Sequence, residues 1–500
     1  MADRHWRLTI AVFTVAFFWA AIRRATIKPF WHDEIYTIAI AGLPSLRSIW
    51  AAQQAGLDVM PPFNSIVTHA VFSLAGQGAV STRLPAMLGV WILTLAMFAI
   101  VRQRANTIAG LSAMLMTFVS GATGAAYEAR GYGLMLGLFA LALLSWSEAA
   151  SGRRRALYLP LLALALAAGI WTHYYAALVA VPILAGELAR FIRTKKPDWG
   201  VLVSLVAAGV ASVPLYPLAR LASAQSATYF GRASVGDIPN AYAAIGGALF
   251  RPWALLVVVL IAGAAVALGP ARPRPRPPEI PAHEVVAALM TLLIPVWAIL
   301  AGLAVSGAFV PRYAMPAVIG FCVLVPILVS RLRSELAPLL LCACLATAFV
   351  YSFRDVRPRV ASFQNPIVYR PHLTAALSQS APVVVTGTLY LQMWYYTPAE
   401  HRDKLAYIAD PSAALRLIGT DSLERDYLVL REWYPVGIHS YDAFVAAHPR
   451  FFVYDVAALT WLLPRLREDR AELRVVGEEW GATMYDVTMP PASSMPPRTD

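Results

Sequence analysis

The residues best suited to chemistry stand in one short acidic and aromatic segment, Trp31-His32-Asp33-Glu34-Ile35-Tyr36. It comes just after the first long apolar segment of the chain. A surface carboxylate can take the proton from an attacking hydroxyl or amine and so act as a general base. Adjacent residues of a helix point about 100° apart, so Asp33 and Glu34 cannot share one target. One of them could face a reacting group while the other orients a partner.

A purely structural role for the same pair is also open. Asp33 could cap the N-terminus of a helix, where an aspartate side chain accepts a hydrogen bond from the backbone. Glu34 would then be favourable in the first turn, near the positive end of the helix dipole. The local sequence alone does not separate this role from a catalytic one.

Three arginines, Arg83, Arg130 and Arg312, stand at ends of apolar segments, on the side where the positive-inside rule disfavours basic residues. A side chain that reaches the lipid headgroups explains any one of them. Three at the same depth are better explained by an anion held at that surface. Arginine binds phosphate through two parallel hydrogen bonds, so a lipid phosphate is a suitable anion.

Each arginine has polar or aromatic neighbours in the sequence. Glu128 and Arg130 are two residues apart, so on a helix they would not face each other, and an intrahelical salt bridge does not explain them. A His-Tyr-Tyr sequence between two apolar segments suits either an interfacial aromatic belt or a site. The segments are Ser81-Thr82-Arg83-Leu84-Pro85, Tyr127-Glu128-Ala129-Arg130-Gly131-Tyr132, Thr172-His173-Tyr174-Tyr175 and Pro311-Arg312-Tyr313.

Composition indicates the medium that surrounds these residues. The chain has 500 residues, of which 58% are hydrophobic and 14% charged, whereas a soluble domain is about 45–50% apolar and about 25% charged. We therefore predict a polytopic α-helical membrane protein in contact with the lipid bilayer. The net charge is +12, but the basic residues fall mostly in short loops, where they fix orientation. We predict no nucleic-acid partner.

About eleven segments are apolar and long enough to cross a bilayer, which takes about 20 residues. The bulky Phe17, Phe18 and Trp19 favour an uncleaved first helix over a signal peptide. Every second loop is basic, which predicts a cytoplasmic N-terminus and a periplasmic C-terminus in a bacterial inner membrane. The segments lie near 7–24, 84–102, 105–121, 128–149, 156–172, 174–192, 199–217, 245–268, 284–305, 313–331 and 337–353.

The sequence predicts two domains. Residues 1–353 form the transmembrane domain, with a periplasmic loop at 25–83 that contains short interfacial helices. Residues 354–500 have the composition of a soluble domain. Predicted strands at 382–386, 427–430 and 451–454 alternate with helical patterns near 370–379, 411–419, 441–448 and 457–468. With a hairpin over 473–489 turning at 480–481, this indicates an α/β periplasmic domain with a parallel sheet.

Taken together, these motifs resemble the GT-C glycosyltransferases of the protein O-mannosyltransferase and aminoarabinose transferase group. The resemblance spans the chain in layout and implies the GT-C fold. Each motif is weak alone, whereas their order and their placement on one side of the membrane are more specific. They are Asp33-Glu34, Arg83-Leu84-Pro85, Glu128-Ala129-Arg130-Gly131-Tyr132, Thr172-His173-Tyr174-Tyr175, Pro311-Arg312-Tyr313 and Met60-Pro61-Pro62-Phe63, the last standing where such proteins often have His-Pro-Pro.

The resemblance implies an inverting transfer of a hexosyl or pentosyl group from a polyprenyl-phosphate donor to a periplasmic lipid, polysaccharide or protein acceptor. It implies that Asp33 is the general base and that Glu34 supports it. The implied substrate-binding residues are Arg83, Glu128, Arg130, Tyr132, His173, Tyr174, Arg312 and Tyr313.

A divalent metal cofactor stays open. Met60 replaces the histidine of many family members, which weakens the case for a metal at that point. His32 and His69 are the alternative histidines there.

Two other classes of function are weighed against the enzyme. A transporter or lipid-linked sugar flippase would place ionisable groups near the middle of the bilayer, often in repeated halves. The charges here gather at one interface and no repeat is visible, which favours the enzyme. A non-catalytic scaffold would explain residues 354–500 but not the three arginines. The sequence names neither the sugar nor the acceptor.

Overall fold

The computed structural model describes residues 2–247, 259–261, 263, 279–332, 334, 336–354, 370–456 and 460–491. The contacts divide the chain into two compact units. The helical unit comprises the described residues of Met1–Thr26, Met60–Arg220 and Gly231–Arg357. The sheet unit comprises those of Ile27–Val59, Leu221–Phe230 and Pro358–Asp500. The acidic segment at 31–36 therefore packs with the C-terminal residues, and the units do not follow a single boundary at residue 353.

The helical unit consists of apolar helices, because backbone groups in a bilayer must be hydrogen-bonded within the protein. Its α-helices are Ala2–Ile27, Phe63–Ala75, Ala79–Arg104, Thr107–Met116, Ala122–Ala125, Tyr132–Ala150, Arg155–Thr172, Ala180–Thr194, Trp199–Ser212, Ile238–Gly246, Ala282–Leu292, Ile294–Ala301, Ala317–Ser330 and Leu336–Arg354. A further helix, Tyr216–Gln225, is divided between the two units at Arg220. Shorter 3₁₀ turns lie at Thr117–Val119, Tyr174–Val179, Val213–Leu215, Val235–Asp237 and Pro311–Ala314, and a π-helical turn at Gly302–Ser306.

Six helices in the described part of the chain are long and apolar enough to cross a membrane, or up to seven if the bent pair Ala282–Leu292 and Ile294–Ser306 is one span. The predicted segments near 105–121, 313–331 and 337–353 form shorter apolar helices. The predicted segment 245–268 lies mostly outside the described residues. The chain is thus a multi-pass membrane protein, as predicted, although the described helices of spanning length number fewer than eleven.

Glycines bring two helices of the helical unit unusually close. A Cβ atom built on Gly137 would lie 2.2 Å from the carbonyl oxygen of Gly89, and one on Gly133 would lie 2.7 Å from that of Ala86. Helices Ala79–Arg104 and Tyr132–Ala150 therefore run parallel with their backbones in contact, as in small-residue crossings of membrane helices. Because Arg83 and Arg130 lie near the N-terminal ends of these two helices, the crossing sets the level at which both arginines stand.

The sheet unit is built on six strands: β1 Val383–Val385, β2 Leu405–Ala409, β3 Ile438–Ser440, β4 Arg450–Asp455, β5 Glu472–Glu479 and β6 Ala482–Thr488. Their order is β3-β2-β1-β4-β6-β5. The first four are parallel, and β6 runs antiparallel to both β4 and β5. The α/β fold is confirmed. The β5–β6 hairpin turns at Trp480 and Gly481 as predicted, both with positive φ, as a two-residue hairpin turn requires.

The helices of the sheet unit are His32–Ala41, Leu46–Gln54, Pro371–Leu377, Leu389–Tyr396, Ala399–Arg402, Pro411–Ile418, Ser422–Trp433, Tyr441–Ala447 and Leu462–Glu468. The predicted strand at 427–430 is wrong, because these residues lie inside helix Ser422–Trp433. Its buried residues Glu424, Tyr427 and Leu430 recur every third position, which is helical spacing that a short apolar run conceals. Strands β2 and β3 were not predicted.

We predict that Gly137→Ala destabilises the protein, because the added methyl group has no room against the Gly89 backbone. Overpacking of this kind costs about 1–3 kcal/mol. The matched control is Gly209→Ala, since a Cβ atom at Gly209 would meet nothing within 4 Å. Thermal unfolding in detergent should show a lower midpoint for Gly137→Ala and an unchanged or higher one for Gly209→Ala. Equal midpoints for the two variants would contradict the close crossing.

Candidate active site

The acidic segment begins a helix in the sheet unit, His32–Ala41, and its cap differs from the expected one. The cap residue is Trp31, whose backbone N–H donates to Oε2 of Glu34 at 3.4 Å. Lys28 lies 3.6 Å from the same carboxylate, which is fully buried. Asp33 is half-buried in the first turn. Capping by Asp33 is therefore wrong, and Glu34 is the residue that shapes the turn.

Backbone hydrogen bonds fix the approach to this helix. The N–H of Phe30 donates to the Tyr396 hydroxyl at 2.7 Å, and its carbonyl accepts from Nε2 of Gln392 at 3.0 Å. The Phe30 ring also packs edge-on against Tyr395, at 5.7 Å between centroids. All three partners lie on or at the end of helix Leu389–Tyr396. The C-terminal residues thus hold the backbone three residues before Asp33.

His32 makes a second contact with the C-terminal residues. Its Nδ1 lies 3.2 Å from the hydroxyl of Tyr427, which donates to the carbonyl of Gly387 at 3.3 Å. Burial raises the pKa of Tyr427 well above its ordinary value, so the hydroxyl keeps the proton that it donates. The hydroxyl of Tyr427 has one proton, so the tautomer of His32 decides which of the two residues donates in their contact.

Two carboxylates that the sequence analysis did not single out act electrostatically in the same unit. Burial raises the pKa of Asp426 well above its ordinary value, and the negative charges of Asp58 and Asp33 raise it further. Asp426 therefore keeps a proton more readily than an exposed aspartate, which limits the negative charge that accumulates beside Asp33. The sequence does not predict this electrostatic interaction, because only the fold brings these carboxylates close enough to affect one another.

In the helical unit, the structure brings His173, Tyr132, Tyr313 and Arg312 together. The His173 ring lies 4.8 Å from Tyr313 and 5.5 Å from Tyr132 between centroids, and the Arg312 guanidinium lies 5.3 Å from the Tyr132 ring. Gly131 permits the approach, since a Cβ atom there would lie 2.9 Å from Cγ2 of Thr172. The sequence motifs around 130, 173 and 312 therefore meet at one end of the helical unit.

The electrostatics of His173 add Arg130 to this cluster. Burial lowers the pKa of His173 to about 3, and the positive charges of Arg312 and Arg130 contribute in the same direction. His173 is therefore neutral at physiological pH. Its Nδ1 accepts the backbone N–H of Tyr175 at 3.2 Å, so the proton sits on Nε2. That N–H is buried and has no hydrogen-bond partner among the described residues, and it can donate to a ligand oxygen between two arginines.

Other members of the predicted set are placed around this cluster. Tyr174 is half-buried at the start of the turn Tyr174–Val179, directly after His173. The neighbouring Tyr175 hydroxyl donates to the carbonyl of Ala308 at 2.5 Å, which ties this turn to the segment that carries Arg312. Glu128 is half-buried in the turn between Ala122–Ala125 and Tyr132–Ala150.

Arg83 occupies a different environment from the other two arginines. Its side chain is completely buried, and Nη1 donates to the carbonyl oxygen of Ala25 at 2.5 Å. Ala25 lies in the last turn of helix Ala2–Ile27, where the carbonyl groups carry the negative end of the helix dipole. Arg83 therefore stabilises a helix terminus and does not extend to lipid headgroups.

A fourth arginine was missed by the sequence analysis. Arg24 donates from Nη1 to the Tyr127 hydroxyl at 2.9 Å, and its guanidinium lies 5.0 Å from the centroid of that ring. Both residues line an apolar groove of about 360 Å³ whose walls include Phe17, Phe118 and Phe349. Arg24 lies in the last turn of helix Ala2–Ile27, and nothing in the local sequence indicates its contact with Tyr127.

The described residues contain no group of three or more His, Cys, Asp or Glu side chains arranged to hold a metal ion. His32 points Nδ1 at Tyr427, as described above. Met60 is partly buried against the apolar core of the helical unit.

Comparison with known proteins agrees with this architecture. The family model for dolichyl-phosphate-mannose-protein mannosyltransferase matches residues 59–216. Among solved structures, ArnT from Cupriavidus metallidurans in the apo state is 14% identical with a TM-score of 0.58, and the match covers 97% of this chain and 98% of that one. This is an ArnT-like GT-C fold. The same ArnT bound to undecaprenyl phosphate is 16% identical, with a TM-score of 0.56 and coverage of 98% and 99%.

Among curated protein sequences, none matches this chain. The family model and the fold together confirm the resemblance to GT-C glycosyltransferases. The roles of individual residues remain predictions.

We predict that lowering the pH reduces the free energy of unfolding, because the folded protein keeps His173 neutral. The unfolded chain protonates this histidine below about pH 6.5, whereas the folded protein resists protonation until about pH 3. Because the folded pKa is the lower one, this contribution to stability is complete above pH 6.5 and declines as the pH falls. The loss between pH 7 and pH 5 is about 2 kcal/mol.

His173→Gln removes the titrating group, and His69→Gln in helix Phe63–Ala75 is the matched control. Thermal unfolding measured from pH 7 to pH 5 should show a flatter pH dependence for His173→Gln than for wild type or His69→Gln. An identical pH dependence in all three proteins would be inconsistent with a buried neutral His173.

Proposed function

We propose that this protein is an inverting glycosyltransferase that moves a hexosyl or pentosyl group from a polyprenyl-phosphate carrier to a lipid, polysaccharide or protein acceptor. In this proposal the reaction takes place at the periplasmic face of a bacterial inner membrane, with the C-terminal domain on the same side. The observation that carries it is the buried, neutral His173. Its Nε2–H has no hydrogen-bond partner among the described residues, and the positive charges of Arg130 and Arg312 act on its ring.

A bound phosphate explains this arrangement of donors better than contact of each arginine with lipid headgroups does. Arg130 and Arg312 supply charge-assisted hydrogen bonds, and the His173 N–H adds a fixed neutral donor. Tyr132 and Tyr313 pack around the histidine and hold its ring orientation. Donors fixed before the reaction stabilise negative charge as it develops on a leaving group. In this assignment Arg83 positions the first helix, and Glu128 and Tyr174 support the cluster.

The apolar groove beside Arg24 and Tyr127 supports a lipid-linked donor. Its walls are aromatic and aliphatic, and the charged end of Arg24 stands at one part of the lining. An isoprenoid chain is apolar and carries its phosphate at one end, so it matches a groove of this composition. ArnT from Cupriavidus metallidurans has been solved with undecaprenyl phosphate bound, which supports the same class of carrier here.

The proposed reaction is a single displacement. The acceptor hydroxyl or amine attacks the anomeric carbon and forms a bond there, while the bond from that carbon to the lipid phosphate oxygen breaks. Asp33 takes the proton from the acceptor, and the phosphate leaves with the bonding electron pair against the arginines. Attack opposite the leaving group inverts the anomeric configuration. Glu34 supports Asp33 through the turn that it shapes with Trp31.

We expect Arg312→Ala to weaken binding of undecaprenyl phosphate to the detergent-solubilised protein by about 10- to 100-fold. This corresponds to the roughly 1.5–3 kcal/mol of a hydrogen bond to a charged group. Arg193→Ala is the matched control, since Arg193 is an exposed arginine in the last turn of helix Ala180–Thr194. Equal affinities for the two variants would remove the phosphate-binding role from Arg312.

Asp33→Asn should abolish sugar transfer while leaving binding of the lipid carrier intact, because asparagine keeps the shape of aspartate but cannot accept a proton. A rate loss of about 10²–10⁴ is typical for removal of a general base. The assay follows radiolabelled sugar from a polyprenyl-phosphate donor into cell-envelope membranes. Asp410→Asn, which keeps its helix cap on Pro411–Ile418, is the control. Full transfer by Asp33→Asn would exclude it as the base.

A further inference from the structure

One face of helix His32–Ala41 carries Asp33 together with a buried tyrosine, Tyr36. The two residues are three positions apart, and side chains at this spacing are neighbours on one face of a helix. The cap formed by Trp31 and Glu34 fixes the first turn, so both side chains extend from a defined backbone. Asp33 is half-buried, whereas Tyr36 is only 6% exposed. Tyr36 is therefore the buried neighbour of the proposed base.

The ring of Tyr36 is held in place by a series of aromatic contacts. His32, four residues earlier on the same helix, lies 5.1 Å from it between ring centroids. The His32 ring contacts Tyr427 edge-on at 5.5 Å, and Tyr427 contacts Tyr407 edge-on at 4.3 Å. Tyr407 belongs to strand β2, so the sheet supports the whole series. The hydroxyl group of Tyr36 consequently has a fixed position beside Asp33.

The Tyr36 hydroxyl is buried and has no hydrogen-bond partner among the described residues. A buried tyrosine hydroxyl normally finds a partner, because a buried polar group without one costs free energy. The indole N–H of Trp31 is likewise buried and without a partner in the described part of the chain. Two donors that lack acceptors therefore stand on either side of Asp33 in the sequence, which points to a ligand that supplies acceptor atoms.

Four other buried tyrosines of the sheet unit show how the fold satisfies a hydroxyl whose role is structural. Their hydroxyl groups donate to protein oxygens: Tyr390 to the carbonyl of Gly437, Tyr407 to Glu424, Tyr427 to the carbonyl of Gly387 and Tyr441 to Asp469. Tyr36 differs from these four, although it packs in the same aromatic series as two of them.

The surroundings of Tyr36 determine which chemistry its hydroxyl can perform. Burial raises the pKa of Tyr36 well above its ordinary value, and the negative charges of Asp426, Asp58 and Asp33 act in the same direction. The hydroxyl therefore keeps its proton at physiological pH and is not a second base. It is a neutral hydrogen-bond donor next to a carboxylate.

The same surroundings restrict the class of ligand. An anion would be repelled by the ionised carboxylate of Asp33, and a metal cation has no lone pair to accept from the Tyr36 hydroxyl or the Trp31 indole N–H. A neutral hydroxyl or ring oxygen accepts from such donors, and a hydroxyl group can also donate to the carboxylate. A sugar unit carries several oxygens of this kind.

We propose that the Tyr36 hydroxyl donates a hydrogen bond to an oxygen of a sugar unit that is bound next to Asp33, and that the Trp31 indole N–H is a second donor to the same unit. The inference rests on the proposed transferase function for the presence of a sugar at this point. The sugar unit belongs either to the lipid-linked donor or to the acceptor, and the binding measurements below distinguish these two sources.

The first experiment uses Tyr36→Phe in the full-length protein, which removes the hydroxyl group and keeps the ring that packs on His32. The unfolding midpoint in detergent should equal or exceed that of the wild type, because no hydrogen bond within the protein is lost. The kcat/KM for transfer into envelope membranes should fall about 3- to 12-fold, which corresponds to one neutral hydrogen bond. An unchanged kcat/KM, or a lower unfolding midpoint, overturns the proposal.

Tyr441→Phe is the matched control, because it removes the same group from a buried tyrosine that has a partner within the protein. The Tyr441 hydroxyl donates to Oδ2 of Asp469 at 2.8 Å. This variant should therefore have a lower unfolding midpoint than the wild type and an unchanged kcat/KM, which is the opposite of the result expected for Tyr36→Phe.

The second experiment measures binding of undecaprenyl phosphate and of its glucose, galactose, mannose and arabinose esters to the detergent-solubilised protein. If Tyr36 binds the transferred sugar, Tyr36→Phe weakens binding of at least one ester about 3- to 12-fold and leaves the affinity for undecaprenyl phosphate unchanged. If it binds the acceptor, all these affinities stay the same and half-maximal transfer requires about threefold more acceptor membrane or greater. No change in any of these quantities overturns the proposal.

Trp31→Phe keeps the proposal testable if Tyr36→Phe does not fold, because it removes the second donor and retains an aromatic ring. The same affinities and the same acceptor requirement decide the outcome for this variant.

Failure of the transferase function has a different signature. If the wild type transfers no sugar but Tyr36→Phe weakens binding of a lipid-linked sugar, the transferase function fails and the sugar-binding role of Tyr36 stands. If the wild type transfers sugar and Tyr36→Phe behaves like it, only the role of Tyr36 fails. If the wild type transfers no sugar and the affinities do not differ, both fail.

Discussion

The hydrogen bonds that hold residues 30–32 against the C-terminal residues are the constraint on which the candidate chemistry depends. Phe30 is bound through its backbone to Tyr396 and Gln392, and His32 is bound through its ring to Tyr427. A short helix of ten residues such as His32–Ala41 has little stability by itself. Its docking on two C-terminal helices therefore fixes where Asp33 stands.

In the helical unit, close helix packing sets the positions of the charged groups. Direct backbone contact at Gly89, Gly133 and Gly137 sets the axial position of two helices, and with it the positions of Arg83 and Arg130. The three arginines differ in what they contact. Arg83 donates to a carbonyl group at the end of the first helix, whereas the charges of Arg130 and Arg312 act on a histidine that burial keeps neutral. Neutrality makes His173 a directional donor, since a third positive charge at this point would be costly to bury.

Buried carboxyl groups order the sheet unit. Glu424 accepts hydrogen bonds from the Tyr407 hydroxyl and the Trp461 indole N–H, and Asp455 accepts one from the Thr386 hydroxyl. The helix that carries Glu424 also carries Tyr427, the partner of His32. The same helix thereby contributes to the buried polar network of the sheet unit and to the placement of the segment that carries Asp33.

The sequence by itself determined the membrane class, the GT-C layout and the candidate residues, because apolar length, basic loops and local motifs are properties of contiguous residues. It also identified the β5–β6 hairpin from its Trp480-Gly481 turn. Tertiary structure decided the rest. Residues 427–430 form a helix and not the expected strand. The cap of helix His32–Ala41 is formed by Trp31 and Glu34, and Arg24 contacts Tyr127. The Arg24–Tyr127 contact joins residues far apart in the chain and leaves no local pattern. The helix cap and helix Ser422–Trp433 are local, but their sequences also fit another structure, and the fold decides between the two.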